Sequence, residues 1–118
     1  MNMLDVELFN KGIKFFNDQQ FFQAHISWEH CWKLYKDDHK KLFLKPLIML
    51  TGAYLNYNSG RKIGGDYLLK KSLDRLLESK NVLKELVEVN LLIECVNNVY
   101  KNGGSTEGIE GIKIKKVG

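Results

Sequence analysis

Large apolar residues recur along the first part of the chain at the spacing of an amphipathic helix. Apart from one adjacent pair, they are three or four positions apart, with polar residues between them, at Leu4, Leu8, Phe9, Ile13 and Phe16. Because one helical turn takes about 3.6 residues, these positions share one face. The pattern predicts a first helix of about 13 residues that ends near Asn17.

A second series places large side chains on one face of the next segment. Its members are four, three, four and three positions apart, at Phe21, His25, Trp28, Trp32 and Tyr35. We name its four aromatic residues, Phe21, Trp28, Trp32 and Tyr35, the aromatic stripe. In water this stripe would expose a large aromatic patch, so the pattern predicts a second helix with both tryptophans shielded. Replacing Trp32 by alanine is then expected to cost about 3–5 kcal/mol.

The most apolar stretch of the chain, residues 42–50, predicts a central third helix from about His39 to Asn58. This stretch contains Pro46, the single proline of the chain. A proline inside a helix removes one backbone hydrogen bond and crowds the preceding turn. Pro46 therefore either kinks the helix or lies in its first turn, and we expect the kink.

The pattern after the third helix predicts two more helices. Residues 59–60 (Ser-Gly) end the third helix, and a fourth begins with the Gly-Gly-Asp sequence of residues 64–66 and continues to residue 77. Residues 82–89 suit either a helix or a connector. Asn90 is the expected cap of a last helix that continues to about Lys101.

The glycine-containing end of the chain carries no helical stripe. Residues 103–118 contain spaced apolar side chains and several lysines. Such a segment buries little by itself, so we expect a flexible tail, or one ordered only by packing across the bundle or on a partner. The predicted fold is an all-α, single-domain bundle of about five helices over residues 1–102, followed by this tail.

Composition narrows the class of protein. A chain of 118 residues that is 44% hydrophobic and 27% charged suits one globular domain with its own core. Its two cysteines, Cys31 and Cys95, indicate buried thiols in a reducing compartment. The N-terminus lacks the features of a signal peptide, and no apolar run reaches the roughly 20 residues of a membrane span. The excess of lysine over arginine is typical of an AT-rich genome, such as that of a low-GC bacterium or an organelle. We therefore expect a cytoplasmic protein or one in the soluble phase of an organelle such as a plastid.

The net charge of +4 is basic, but it is spread along the chain. Eighteen cationic residues are interspersed with 14 anionic ones. A nucleic-acid-binding protein concentrates its positive charge on one face, so this order disfavours nucleic acid as the partner.

Four segments of the chain are specific enough to indicate a family. They are residues 9–12, 21–32, 43–48 and 59–69, and the second contains Ala-His-Ile-Ser-Trp-Glu-His-Cys-Trp. With these segments, roughly residues 5–100 resemble the small helical family called domain of unknown function 309. The resemblance implies a compact bundle in which an Ala-His-Glu-x-x-Glu-x-x-Trp segment faces a Gln-Gly-Leu-Ile-Gln segment and a later histidine. No biochemical function is established for that family.

This chain keeps part of the family's polar pattern. From the first segment it retains Ala24, His25, Glu29 and Trp32, whereas Ile26 stands in place of the first glutamate. In the second segment and beyond it, the family's glutamine, glycine, glutamine and histidine are replaced by Lys45, Pro46, Met49 and Asn56. The resemblance thus implies a retained scaffold with most of a polar site lost, which favours binding or structure over catalysis.

His25 and Glu29 are the strongest candidates for chemistry. They are four positions apart on one helical face, and can jointly bind a metal or transfer a proton. A helical zinc hydrolase needs a second histidine and a glutamate base, which are absent here. We therefore favour a structural histidine, bonded to Glu29 or to a polar group such as Asn56 on the facing helix, and expect no metal and no catalytic residue.

The other candidates also have simpler interpretations. Trp28 and Trp32 can stack on a planar ligand, but aromatic stripes on helices are more often core. Cys31 is a nucleophile only beside a base, and His25 lies on another face of the helix. A candidate anion site consists of Arg61, Lys62, Gly64 and Gly65, since a helix start binds phosphate, but an interhelical turn explains the same glycines.

The sequence favours a non-enzymatic protein-interaction module, such as a small subunit or assembly factor, with a protein partner or a second copy and no cofactor. One alternative is a metal-binding protein or enzyme that uses His25 and Glu29. A second alternative is an RNA-associated accessory protein.

Overall fold

The computed structural model describes residues 3–34 and 40–118, and in these ranges the protein is all-α. The helices are α1 (Met3–Asn17), α2 (Phe21–Leu34), α3 (Lys45–Asn58), α4 (Lys62–Glu78), α5 (Lys80–Leu83), α6 (Val89–Lys101) and α7 (Thr106–Glu110). The all-α prediction is confirmed. The described residues form seven helices instead of about five, because α5 and α7 are too short to produce a periodic pattern. None of the seven is long and apolar enough to cross a membrane.

The first two helices pack antiparallel through aromatic rings. The rings of Phe16 and Phe21 meet edge to face with centroids 5.0 Å apart, and the indole nitrogen of Trp28 donates a hydrogen bond of 3.1 Å to the Phe9 carbonyl. Gly12 makes this approach possible, because a Cβ at that position would overlap the indole of Trp28. The N-terminal helix is therefore fixed on the core by Trp28.

Pro46 lies in the first turn of α3 and does not kink the helix. The expected kink is wrong, because the segment before it, Lys40–Leu44, forms a separate 3₁₀ helix. In the first turn the missing N–H of proline has no intrahelical acceptor to lose. The apolar run of residues 42–50 thus spans two elements.

Helices α3 and α4 pack closely and antiparallel through small residues. A Cβ on Gly64 would lie 2.6 Å from Asn56 Oδ1, one on Gly65 would overlap the ring of Tyr57, and Ser72 Oγ donates to the Pro46 carbonyl at 2.8 Å. The two glycines belong to the first turn of α4, which begins at Lys62 and not at residue 64. Close approach of two helices therefore accounts for both glycines.

The connection between α4 and α6 combines the two alternatives for residues 82–89. The short helix α5 ends at Leu83, and a turn leads to Val87, which forms an isolated antiparallel bridge with Lys116. The last long helix begins at Val89 with Glu88 as its cap residue, so the expectation that Asn90 caps it is wrong. The N–H of Glu88 donates to the Lys115 carbonyl at 2.8 Å, and this pairing sets the start of α6.

Residues 103–118 pack across the bundle. Three apolar side chains of this segment are buried, those of Ile109, Ile112 and Ile114. Asn17 at the end of α1 donates from Nδ2 to the Ile114 carbonyl at 2.9 Å and accepts from its N–H at 2.7 Å. The expected arrangements were a flexible tail, packing across the bundle and ordering on a partner. In the described structure the segment packs across the bundle and adds to the core. Whether residues 1–102 fold without it stays a prediction, which a truncation can test.

Candidate functional site

The aromatic stripe is divided between the core and the surface. Phe21 and Trp28 are buried, Trp32 is half-buried, and Tyr35 lies outside the described residues. The core-facing side of α2 also includes three small residues, Ala24, Ser27 and Cys31. Their burial turns the helix so that Trp32 reaches the surface between α2 and α3. The sequence series selected the large side chains and missed the small ones that set this rotation.

His25 pairs with a residue that the sequence analysis did not select. Its Nδ1 lies 2.7 Å from Thr51 Oγ1 on α3, and its Nε2 lies 3.3 Å from Glu29 Oε1. The Thr51 hydroxyl also lies 2.9 Å from the Ile48 carbonyl and 3.2 Å from the Leu47 carbonyl. Because a carboxylate only accepts hydrogen bonds, the contact of His25 Nε2 with Glu29 needs a hydrogen on Nε2. The sequence held one signal for this partner, because a threonine on the apolar face of α3 needs hydrogen-bond partners when it is buried, as Thr51 is.

Asn56 is placed away from this pair. Its Nδ2 donates to the Gly52 carbonyl at 2.9 Å, and its Oδ1 accepts from Arg61 Nε at 3.2 Å. The first bond lies within α3, and the second joins Asn56 to the turn between α3 and α4. The structure thus brings His25 and Glu29 together and bonds Asn56 to the turn instead.

The two motif segments of the sequence analysis meet in one pocket of about 200 Å³. Helix α2 contributes Glu29, Trp32 and Lys33, and α3 contributes Lys45, Ile48 and Met49. We name this the Trp32 pocket. The Lys45 ammonium lies 5.9 Å from the centroid of the Trp32 ring, within the range of a cation–π interaction. The pocket therefore combines an apolar lining with positive charge.

A second pocket of about 260 Å³ adjoins the first, and Lys45 lines both. Its other residues are Leu42, Arg75, Glu78 and Ser79. Arg75 Nη1 pairs with Glu78 Oε2 at 2.7 Å, while Arg75 Nε is shielded from solvent and has no acceptor among the described residues. We name this the Arg75 pocket.

The candidate anion site at the start of α4 is occupied by internal contacts. Lys62 pairs with Asp66 at 3.1 Å and donates to the carbonyls of Gly103 and Gly104. Tyr57 donates to Asp66 Oδ1 at 2.6 Å. This hydrogen bond, together with Lys62, lowers the pKa of Asp66 against the opposing effect of burial, whereas burial and the same bond raise the pKa of Tyr57. The positive charge of Lys62 thus fixes the C-terminal segment to the α3–α4 turn.

The described residues contain no group of three or more His, Cys, Asp or Glu side chains arranged to hold a metal ion. His25 and Glu29 supply two potential ligands. The arrangement fits a hydrogen-bonded link between α2 and α3 that borders the Trp32 pocket.

Comparison with known proteins agrees with the resemblance seen in the sequence. No curated protein matches the chain in sequence. A family model described as Domain of unknown function (DUF309) matches residues 9–67. This match spans α2, α3, the greater part of α1 and the beginning of α4, so it includes both segments that form the Trp32 pocket. Since the match extends over half of the sequence, the chain belongs to the DUF309 family.

Proposed function

We propose that this chain is a non-enzymatic protein-interaction module that binds a partner protein through the outer side of α2 and the adjoining Trp32 pocket. The observation that carries the proposal is an exposed apolar pair on α2. Phe22 is 56% exposed and Ile26 is 49% exposed. Large apolar side chains that share a helix face beside an apolar pocket are typical of a docking surface.

Helical geometry supports a continuous surface along α2. Phe22, Ile26, Glu29 and Lys33 are spaced by four, three and four positions, so they lie along one side of the helix. The first two supply apolar area, and the last two line the Trp32 pocket. We name this row of four residues the α2 strip. A partner that covers it contacts apolar side chains at one end and the pocket at the other.

The contacts of His25 also favour binding over proton transfer. Its Nδ1 is bonded to Thr51 on the facing helix, and its Nε2 faces Glu29. A histidine held in this way links two helices and stabilises the floor of the surface. We infer a role as a small subunit or assembly factor. Because Cys31 and Cys95 are both thiols, we place it in a reducing compartment, the cytoplasm or an organelle such as a plastid.

The test compares two matched substitutions of exposed apolar residues. Ile26→Glu lies on the α2 strip, whereas Val82→Glu lies on α5 and starts from a similar exposure of 52%. Tagged chains are expressed in the native organism, cross-linked and purified, and the bound proteins are identified by mass spectrometry. We expect a stoichiometric partner with the unmodified chain and with Val82→Glu, and loss of that partner with Ile26→Glu. Equal recovery with both variants, at equal helicity by circular dichroism, would contradict the proposal.

A metal-binding protein or enzyme is the second candidate, because His25 Nε2 and Glu29 Oε1 lie 3.3 Å apart near the surface. Its test is the metal content of protein purified without chelator. Stoichiometric zinc, iron or manganese that disappears in both His25→Gln and Glu29→Gln would favour this candidate over the interaction module.

A further inference from the structure

We infer that the Trp32 and Arg75 pockets together bind an acidic, apolar segment of a partner protein. A bulky apolar side chain of that segment enters the Trp32 pocket, and a neighbouring carboxylate pairs with Lys45 and Arg75. The inference rests on the proposed function and specifies the chemistry of the partner.

The Trp32 pocket suits an apolar side chain. Trp32, Ile48 and Met49 are all half-buried, so each has area left to cover. A tryptophan offers a large, rigid contact surface, and a methionine adapts to differently shaped neighbours. A volume of about 200 Å³ is too small for a folded element and large enough for one side chain.

The charges around both pockets select a carboxylate. The lining residues include three cations, Lys33, Lys45 and Arg75, against two carboxylates. One of these, Glu29, faces His25, and the other, Glu78, pairs with Arg75. Lys45 lies between the pockets, so its ammonium can meet an anionic group that follows the apolar side chain. The two carboxylates would repel a polyanion such as RNA, whereas a ligand with a single carboxylate can form an ion pair with Lys45.

Arg75 adds an incompletely bonded donor. Its Nη1 is bonded to Glu78, but its Nε has no acceptor among the described residues and no contact with solvent. A buried N–H without an acceptor is costly, and charged donors most of all. Because the side chain is 35% exposed, the guanidinium can turn toward the Arg75 pocket without disturbing the core. A carboxylate that accepts from both Nε and an Nη then forms a bidentate pair.

The experiment titrates the full chain, labelled with ¹⁵N, with blocked peptides of defined charge. The probe peptide carries one leucine between aspartates. One matched peptide has asparagines in place of the aspartates, and a second has alanine in place of the leucine. We expect saturable shifts of the Trp32 indole N–H and the Arg75 Nε–H signals with the probe peptide. The indole signal of Trp28, which is buried and bonded to Phe9, should not move.

Three variants connect the shifts to the proposed contacts. Arg75→Gln should weaken probe binding about tenfold, since it removes a charge-assisted pair. Lys45→Gln should weaken it about threefold, because an ammonium is a point charge that forms no bidentate pair with a carboxylate. Lys84→Gln makes the same charge change at an exposed position away from both pockets and should change the affinity less than about twofold. Equal losses with Lys84→Gln and Lys45→Gln would show unspecific attraction and overturn the inference.

The outcomes separate this inference from the proposed function. If the asparagine peptide binds as well as the probe, or inorganic phosphate alone produces the same shifts, the acidic-segment inference fails. The interaction module still stands in that case, provided that Ile26→Glu abolishes recovery of the native partner. If no partner depends on Ile26 while the peptide results hold, the proposed function fails and the peptide site remains.

Discussion

The two ends of α3 differ in how completely their polar groups are bonded. At the C-terminal end, Tyr57 donates to Asp66, and Lys62 pairs with the same carboxylate and with the carbonyls of Gly103 and Gly104. At the N-terminal end, Lys45 lies between two pockets, and Arg75 has an N–H without an acceptor among the described residues. We name these the closed end and the open end.

The difference indicates how one helix can serve both stability and binding. The closed end is covered by the C-terminal segment, whose isoleucines enter the core. The open end keeps an indole, a methionine and positive charge at the surface, where a partner can use them. Substitutions at the closed end should therefore change the free energy of unfolding, and those at the open end should mainly change binding.

Removal of residues 103–118 should have the largest effect. The sequence alone predicted that residues 1–102 form the bundle and residues 103–118 only a tail, but the deletion takes Ile109, Ile112 and Ile114 out of the core. Truncating a buried isoleucine to alanine costs about 2–5 kcal/mol. The loss of three buried isoleucines should therefore remove most of the free energy of unfolding of a small domain. Thermal unfolding followed by circular dichroism measures this, with removal of Gly118 alone as the control. An unchanged melting temperature would show that the closed end does not depend on its cover.

The two tryptophans give the next largest difference. Trp28→Ala should cost about 3–5 kcal/mol, because Trp28 is completely buried, whereas Trp32→Ala should cost about 1–2 kcal/mol. The loss of about 3–5 kcal/mol that the sequence led us to expect for Trp32→Ala thus applies to Trp28→Ala. Urea unfolding measures both costs. Iodide should quench the fluorescence of a Trp28→Phe chain more than that of a Trp32→Phe chain, and the reverse order would contradict the division of the stripe.

Two neighbouring glycines provide a finer test of the closed end. Both have positive φ, +95° at Gly103 and +67° at Gly104, so alanine at either is strained by about 1 kcal/mol. A Cβ on Gly103 meets nothing within 4 Å, whereas one on Gly104 would overlap the Tyr57 hydroxyl and lie 2.8 Å from Asp66 Oδ1. Gly104→Ala should therefore cost about 2–3 kcal/mol in urea unfolding and Gly103→Ala about 1 kcal/mol. Equal costs for the two substitutions would mean that Gly104 does not lie in close contact with Tyr57.

The smallest effect is the pH dependence of the closed end. The folded pKa of Asp66 is lowered by Tyr57 and Lys62, so its contribution is present above the ordinary aspartate pKa and is lost as pH falls through the lowered value. The folded pKa of Tyr57 is raised, so its contribution is present below the ordinary tyrosine pKa and decreases above about pH 10. Stability measured against pH should lose part of its acid slope in Asp66→Asn and part of its alkaline slope in Tyr57→Phe. Unchanged slopes in both variants would show that the pair does not couple to folding.

The sequence predicted what depends on long periodic patterns and missed what depends on single contacts. The spacing of Phe9, Ile13 and Phe16 was enough for α1, and the motif segments located the family. The partner of His25 was missed because Thr51 and Asn56 are five residues apart on α3, about 140° around the helix, and one sequence does not tell which of them faces α2. The tail gave no pattern because Ile109, Ile112 and Ile114 are buried through contacts with distant residues.

The pairing of Asn17 with Ile114 joins positions 97 residues apart. During synthesis, a ribosome makes the end of α1 long before the segment that bonds to it. Shorter-range pairs such as Trp28 with Phe9 can therefore form on the nascent chain before the amide of Asn17 meets its partner. A ribosome-bound nascent chain should thus contain the α1–α2 hairpin before the finished domain.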